Sequence, residues 1–144
     1  IDKAIGFPIF FELTASRDEN TTPDRIKVAA AYKRPNESDH SKWVIGEYFA
    51  TDWIPADTER SPLPVAMDLF RLYEQMLHQL IPIAMRPGET MAELVERYQR
   101  ISMKERECQT MENRLYREKQ FNRKVEINRQ LRQLKAELDE LKQI

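Results

Sequence analysis

The sequence predicts an α+β fold, in which a small antiparallel sheet is covered by one helix and followed by a long C-terminal helical arm. Two observations lead to this prediction. The first half contains three short runs that are rich in β-branched, aromatic and small apolar residues, as strands are. In the second half, residues 89–144 contain neither glycine nor proline, so no residue there obliges a helix to stop.

The three runs at 9–15, 26–33 and 43–51 are predicted to be strands. Between them, residues 17–24 and 34–41 are rich in turn-forming asparagine, aspartate and proline, and their lengths suit hairpin-like connections. We therefore expect an antiparallel meander. One face of such a sheet needs an apolar cover.

The predicted cover is a helix whose apolar residues recur at spacings of three and four. These residues are Val65, Leu69, Leu72, Tyr73, Met76, Leu80 and Ile83. Prolines precede the helix, and Pro82, Pro87 and Gly88 are expected to end it. The sequence thus predicts a sheet domain over 1–88 and a charged, coiled-coil-like arm over 89–144.

The arm begins with a capping box, Thr90-Met91-Ala92-Glu93, in which each end residue can bond the backbone amide of the other. Two apolar series follow, and we expect both to make helix–helix contacts. Their members are Leu94, Tyr98, Ile101 and Leu115, then Ile127, Leu131, Leu134, Leu138 and Leu141. The two series do not share a register, and the break lies in residues 117–124. The arm is therefore either a helical hairpin or a long coiled coil with a phase shift.

The leucine content of the arm predicts that the protein acts by association rather than catalysis. A continuous helix from Met91 to the end would be roughly 80 Å long, at about 1.5 Å per residue, and a small sheet could not cover it. A fully buried leucine contributes about 1.5 to 3 kcal/mol, whereas an exposed ion pair contributes about 0 to 1. The expected partner is a second copy, as a homodimer, or a larger enzyme.

A basic stretch in the arm is a candidate nucleic-acid-binding surface. Its cations between residues 114 and 135 are Arg114, Arg117, Lys119, Arg123, Lys124, Arg129, Arg132 and Lys135. Only Glu118 and Glu126 oppose them. A helix with this charge can lie along a phosphate backbone, but the same pattern is also typical of the solvated flank of a coiled coil. Both interpretations stay open at the level of sequence.

A third alternative is an atypical metal-dependent nuclease, because the strands carry acids and lysines. The residues concerned are Glu12, Lys27, Lys33, Glu47 and Asp52. Nucleases of this type place two acids and a lysine on adjoining strands to hold Mg²⁺ and orient a water. Here the Glu-x-Lys triplet at a suitable distance from an aspartate is missing. We therefore predict no catalytic residues and no metal ligands.

The composition limits the remaining classes of function. The formal net charge of −1 provides no overall attraction to nucleic acid or to an anionic membrane. A single cysteine, Cys108, excludes an intrachain disulfide framework and suits a reducing, cytoplasmic compartment. The three glycines lie far apart, so a phosphate-binding loop and a nucleotide cofactor are not expected. Charged residues interrupt the longest apolar run, which argues against a membrane span.

Several segments resemble one bacterial family. They are IDKAI at 1–5, PIFFEL at 8–13, AYKR at 31–34, YFATDW at 48–53 and EKQFNRKVEIN at 118–128. The family they resemble is catalogued as domain of unknown function four-three-nine-one, and the likeness extends over nearly the whole chain. The resemblance implies no established activity. It does imply an association with restriction, methylation and helicase genes, and hence a role in anti-phage defence beside a helicase- or methyltransferase-type partner.

Overall fold

The structure, a computed structural model, describes residue 2 and residues 5–16, 22–39 and 42–143. The chain divides into two compact units, Ile1–Pro82 and Ile83–Ile144. We call them the sheet unit and the hairpin unit. The predicted α+β class is confirmed, because a small antiparallel sheet and its helix are followed by a long helical region.

The described residues of the sheet unit form four strands. They are β1 (Phe10–Ala15), β2 (Arg25–Pro35), β3 (Trp43–Ala50) and the short β4 (Ile54–Pro55). Strands β1, β2 and β3 form the predicted antiparallel meander with β2 in the middle, while β4, which was not predicted, pairs with the start of β2. Of the predicted turn at 17–24, residues 17–21 lie outside the described part of the chain.

Helix α1 (Leu69–His78) begins later than the sequence indicated, because Asp68 caps it. The Asp68 side chain accepts a hydrogen bond of 2.7 Å from the Arg71 N–H. The helix buries Tyr73 and Leu77. The prediction that Val65 and Leu69 face the core is wrong, since both are exposed. The backbone at Asp68 is extended, so Val65 lies before the helix and outside its apolar face.

The sheet unit contains a buried ion pair between Lys33 of β2 and Asp2. The Lys33 ammonium, which is 1% exposed, lies 2.5 Å from Asp2 Oδ1. It also donates to the carbonyl oxygens of Asp2, Ile5 and Phe7 at 3.0, 3.1 and 3.0 Å. The Tyr48 hydroxyl donates to the second Asp2 oxygen at 2.6 Å. These bonds attach the segment before β1 to β2.

The hairpin unit consists of α2 (Met91–Arg117) and α3 (Phe121–Lys142). The predicted capping box starts α2, with the Thr90 N–H 2.8 Å from Glu93 Oε2 and the Glu93 N–H 3.3 Å from Thr90 Oγ1. The chain reverses after α2, so of the two sequence alternatives the structure adopts the helical hairpin. None of the described helices combines the length and apolar character needed to cross a membrane.

Candidate nucleic-acid interface

The apolar series of the arm pack against each other inside the hairpin unit. Ile101, Cys108, Leu131 and Leu138 form its buried core. Partly buried residues surround this core, namely Ile83, Met111, Leu115, Leu134 and Leu141. Of the other predicted contact residues, Leu94 and Ile127 are buried and Tyr98 is half-buried. Within a single chain, the two apolar series thus bury many of each other's side chains. Contact of these residues with another chain stays a prediction.

Ion pairs link the two helices, and one of them includes Lys135 of the basic stretch. Lys135 contacts Glu112 at 2.8 Å, and Lys142 contacts Glu105 at 2.7 Å. Lys104 and Glu137 form a third pair. These contacts connect α2 to α3, and Lys135 has an acidic partner on the facing helix.

The open end of the hairpin unit is held by a cluster of Arg86, Glu89 and Arg97, which we call the clasp. Arg97 Nε and Nη2 donate to the two oxygens of Glu89 at 2.7 and 2.8 Å, and both side chains are less than a tenth exposed. Arg97 Nη2 also donates to the Ala84 carbonyl at 2.6 Å. The sequence offered no periodicity that would reveal this cluster.

The clasp also caps the end of α3. The Arg86 guanidinium donates to the carbonyl oxygens of Glu140, Leu141 and Gln143 at 3.0, 3.1 and 2.9 Å. The last carbonyls of a helix have no partner within the helix, and a cation beside them is favourable to the helix dipole. Arg86 therefore fastens the C-terminus of α3 to the segment before α2.

Acid should weaken the clasp. The hydrogen bonds from Arg97 lower the pKa of Glu89 to about 2 from its usual 4.5. Because the folded-state pKa lies below the unfolded value, the ionised carboxylate stabilises the fold above about pH 4.5, and this stabilisation is lost as the pH falls toward 2. We expect the midpoint of thermal unfolding of α2 and α3 to fall steeply in that range. In Glu89→Gln the fall should be shallower, whereas Glu96→Gln should behave like the unaltered chain.

At the closed end of the hairpin unit, Glu118 forms the turn. Its carboxylate oxygen accepts hydrogen bonds from the N–H groups of Lys119 and Gln120 at 2.8 and 2.9 Å. The bond from Gln120, followed by that from Lys119 and the charges of Arg123 and Arg114, holds the pKa of Glu118 below its usual value. Glu118 thus stays ionised and is engaged by the backbone.

Five exposed cations surround this turn, and we call residues 114–124 the tip. The cations are Arg114, Arg117, Lys119, Arg123 and Lys124. Glu118 is the only acid in this range, so the tip carries five positive charges and one negative charge, or +4. Since the whole chain is −1, the rest of it amounts to −5. Within the described residues, none of the five forms a close ion pair.

The fold separates the other predicted cations from the tip. Arg129 pairs with Glu126 at 3.1 Å on the surface of α3. Arg132 is exposed one turn further along. At about 1.5 Å per helical residue, these two lie roughly 7 and 12 Å along α3 from Lys124. The structure thus brings together five of the eight cations of the basic stretch.

Two aromatic side chains accompany the cations of the tip. Tyr116 is 90% exposed and Phe121 is 77% exposed. Exposed rings beside arginines can stack on nucleobases. Sequence reasoning overlooked Tyr116, although its position outside both apolar series could have identified it. Beside the tip, a shallow cavity of about 470 Å³ is lined by Thr110, Asn113, Arg114, Arg117 and Glu118.

The acids and lysines of the strands do not form a comparable site. Lys33 forms a buried ion pair with Asp2, and Glu12 forms an ion pair with Arg60 at 2.6 Å. Across the described ranges of the chain, no three His, Cys, Asp or Glu side chains are close enough together to hold a metal ion. Lys27, Glu47 and Asp52 therefore remain strand and loop residues without an assigned chemical role.

A model of the family described as Domain of unknown function (DUF4391) matches residues 1–138. The chain belongs to this family. The match includes the whole sheet unit, all of α2 and most of α3. Neither the curated proteins nor the solved structures include a significant match. The family's description assigns no activity, so a function for this DUF4391 member has to be argued from its own surfaces.

Proposed function

We propose that this protein is a non-catalytic binding module that holds single-stranded nucleic acid at the tip of its hairpin unit. One observation carries the proposal: the reversal of the chain after α2 gathers five exposed cations and two exposed rings around a turn. In a continuous helix the same residues would be spread along a rod. The hairpin concentrates them into one surface.

The charge distribution supports binding to phosphates. A protein that neutralises phosphate groups releases condensed counterions, so local positive charge provides affinity even on a chain with a negative total. The tip is +4 while the remainder is −5, which directs a polyanion to this end of the hairpin unit. Binding of this origin must be strongly salt-dependent.

Fold stability explains two of these five cations. Arg114 and Arg117 lie in the last turn of α2, where positive charge is favourable. Arg123 and Lys124 lie in the first turn of α3, whose sequence has no acid, and there each cation opposes the helix dipole by about 0.3 to 1 kcal/mol. Their position disfavours the fold, and a bound anion would offset this effect.

The two rings favour single strands over duplexes. Stacking of a base on an aromatic side chain needs an unstacked base, and it contributes about 1 to 3 kcal/mol per base. In a duplex the bases stack on each other and are closed to Tyr116 and Phe121. A duplex would therefore contact the cations of the tip through its phosphates but would not stack on the two rings.

The wider role follows from what the family resemblance implies. A single-strand-binding module suits anti-phage defence or restriction in the cytoplasm, where the catalytic step belongs to a helicase- or methyltransferase-type partner. Assembly with another chain through the two apolar series has less support, because many of these residues already pack between α2 and α3.

Fluorescence anisotropy with a labelled twelve-nucleotide oligo-dT tests the proposal. If all five cations of the tip contact phosphates, the affinity should fall about 100-fold between 50 and 200 mM salt, a slope of about −3.5. The triple variant Arg117→Glu/Arg123→Glu/Lys124→Glu should bind more weakly, and its slope of log affinity against log salt concentration should be smaller in magnitude by about 2. The matched control is Arg25→Glu/Lys42→Glu/Arg71→Glu, whose side chains are at least half exposed in the sheet unit.

The control triple variant changes the net charge equally, so it should keep the slope. Tyr116→Ala/Phe121→Ala should weaken oligo-dT binding at least tenfold without changing the slope, and leave duplex binding nearly unaltered. Absence of binding at 50 mM salt, or equal losses in the two triple variants, would contradict the proposal.

A further inference from the structure

The segment between β4 and α1 exposes large apolar side chains. Leu63, Val65 and Met67 are 66%, 96% and 101% exposed, and we call these three residues the ridge. Between them, the smaller Pro64 and Ala66 are partly buried. The large side chains thus point to solvent and the small ones inward, which is the reverse of the pattern that burial favours.

The same unit contains an apolar groove of about 490 Å³. Phe7, Phe10 and Trp43 line it from the strand side, and Phe70, Tyr73 and Met76 line it from α1. The rings of Phe10 and Tyr73 pack edge to face, with 5.8 Å between their centroids. Almost all of the lining is carbon, so the groove is complementary to apolar side chains and offers few partners to a polar ligand.

We propose that the ridge of one copy docks in the groove of a second copy. Each sheet unit carries both the projecting and the receiving surface, so a two-fold arrangement pairs every ridge with a groove. A two-fold contact of this kind stops at two copies, and it covers the ridge and the groove of both. A partner of another sequence would have to supply both complementary surfaces, whereas a second copy already has them.

The exposed apolar area provides a large part of what a dimer contact needs. Phe7, Leu69 and Phe70 are also 62%, 83% and 45% exposed. If a fully exposed side chain presents roughly 100 Å² of apolar surface, the exposed fractions of these residues and the ridge give about 450 Å² of exposed apolar surface. A standard interface takes about 800 Å² from each partner, so these side chains supply over half of one, and the largest apolar patch of a protein, at about 300 to 600 Å², is often functional.

Sedimentation equilibrium without nucleic acid tests the dimer. The unaltered chain should be a dimer, and Val65→Asp/Met67→Asp should raise its dissociation constant at least 100-fold. The matched control is Met103→Asp/Val125→Asp, which changes the same residue types at positions 61% and 55% exposed in the hairpin unit. The control should stay dimeric. A monomeric unaltered chain, or a control that dissociates as readily as the ridge variant, would overturn the proposal.

Cross-linking identifies the surfaces in contact. In a Cys108→Ala background, a chain with Met67→Cys is mixed with a larger tagged chain with Met76→Cys and then oxidised. A disulfide between the two chains is expected, and replacing the first chain by one with Met103→Cys should abolish it. Equal cross-linking by both chains, or none by either, would rule out the ridge-to-groove contact. This outcome is independent of nucleic-acid binding.

Discussion

Arg97→Ala is expected to destabilise the hairpin unit by about 3 to 5 kcal/mol, the cost of removing one partner from a buried ion pair. The substitution leaves the Glu89 carboxylate buried without its two guanidinium hydrogen bonds. It also removes donors from the carbonyl oxygens of Ala84 and Leu141. Four interactions made by one side chain are lost together, so the effect should exceed that of any surface substitution in α2.

Hydrogen exchange of the α2 and α3 amides measures this loss within the hairpin unit. Arg100→Ala is the matched control, because Arg100 lies one turn further along α2 and forms an exposed pair with Glu96 at 2.5 Å. Exposed pairs contribute about 0.2 to 1 kcal/mol, so the control should be nearly neutral. If both variants had equal protection factors, the clasp would not be a main determinant of hairpin stability.

The second large effect is expected for Lys33→Met, which should destabilise the sheet unit by about 3 to 5 kcal/mol. Burial alone raises the pKa of Asp2, but the hydrogen bonds from Lys33 and Tyr48 outweigh it and hold this pKa below its usual value. Without the ammonium, the Asp2 carboxylate stays buried, and among the described residues the Tyr48 hydroxyl still donates to it. The carbonyl oxygens of Ile5 and Phe7 also lose their contact with Lys33.

Urea unfolding followed by tryptophan fluorescence reports on this unit, because Trp43 and Trp53 both lie in it. Lys27→Met on the same strand is the control and should change the free energy of unfolding by less than about 1 kcal/mol. Replacing both charges, in Lys33→Met/Asp2→Leu, should recover part of the loss. A double variant less stable than Lys33→Met would show that the pair does not act through its charges.

The two proposed surfaces lie in different units of the chain, so they can be tested separately. The tip is polar and acts through long-range charge, whereas the ridge and groove act through apolar contact. High salt should therefore weaken nucleic-acid binding while leaving the dimer intact.

Local patterns predicted the secondary structure well where one short-range rule applied. The strands at 26–33 and 43–51 and the capping box at Thr90 were found because side-chain alternation and cap chemistry involve only a few neighbouring residues. The start of α1 was misplaced because Val65 continues the apolar spacing of the helix toward the N-terminus. The extended backbone of the Asp68 cap prevented that continuation.

The candidate site was predicted only in part. The sequence identified the cations of the tip as basic residues, but it could not separate them from Arg129 and Lys135. That separation depends on which acids lie opposite, and Glu112 faces Lys135 only because α3 reverses beside α2. The clasp was missed for the same reason, since Arg86 and the carbonyls it caps are far apart along the chain.

The sequence by itself determined three of the strands, the approximate position of the covering helix, the helical arm and the total charge, because backbone preference and side-chain periodicity are local properties. Only the tertiary structure decided where charge and apolar surface remain available. Pairing and burial depend on neighbours that folding brings together from distant parts of the chain. The reversal at Glu118 placed the leucines inside and the unpaired cations at one end, and the short α1 left the ridge exposed.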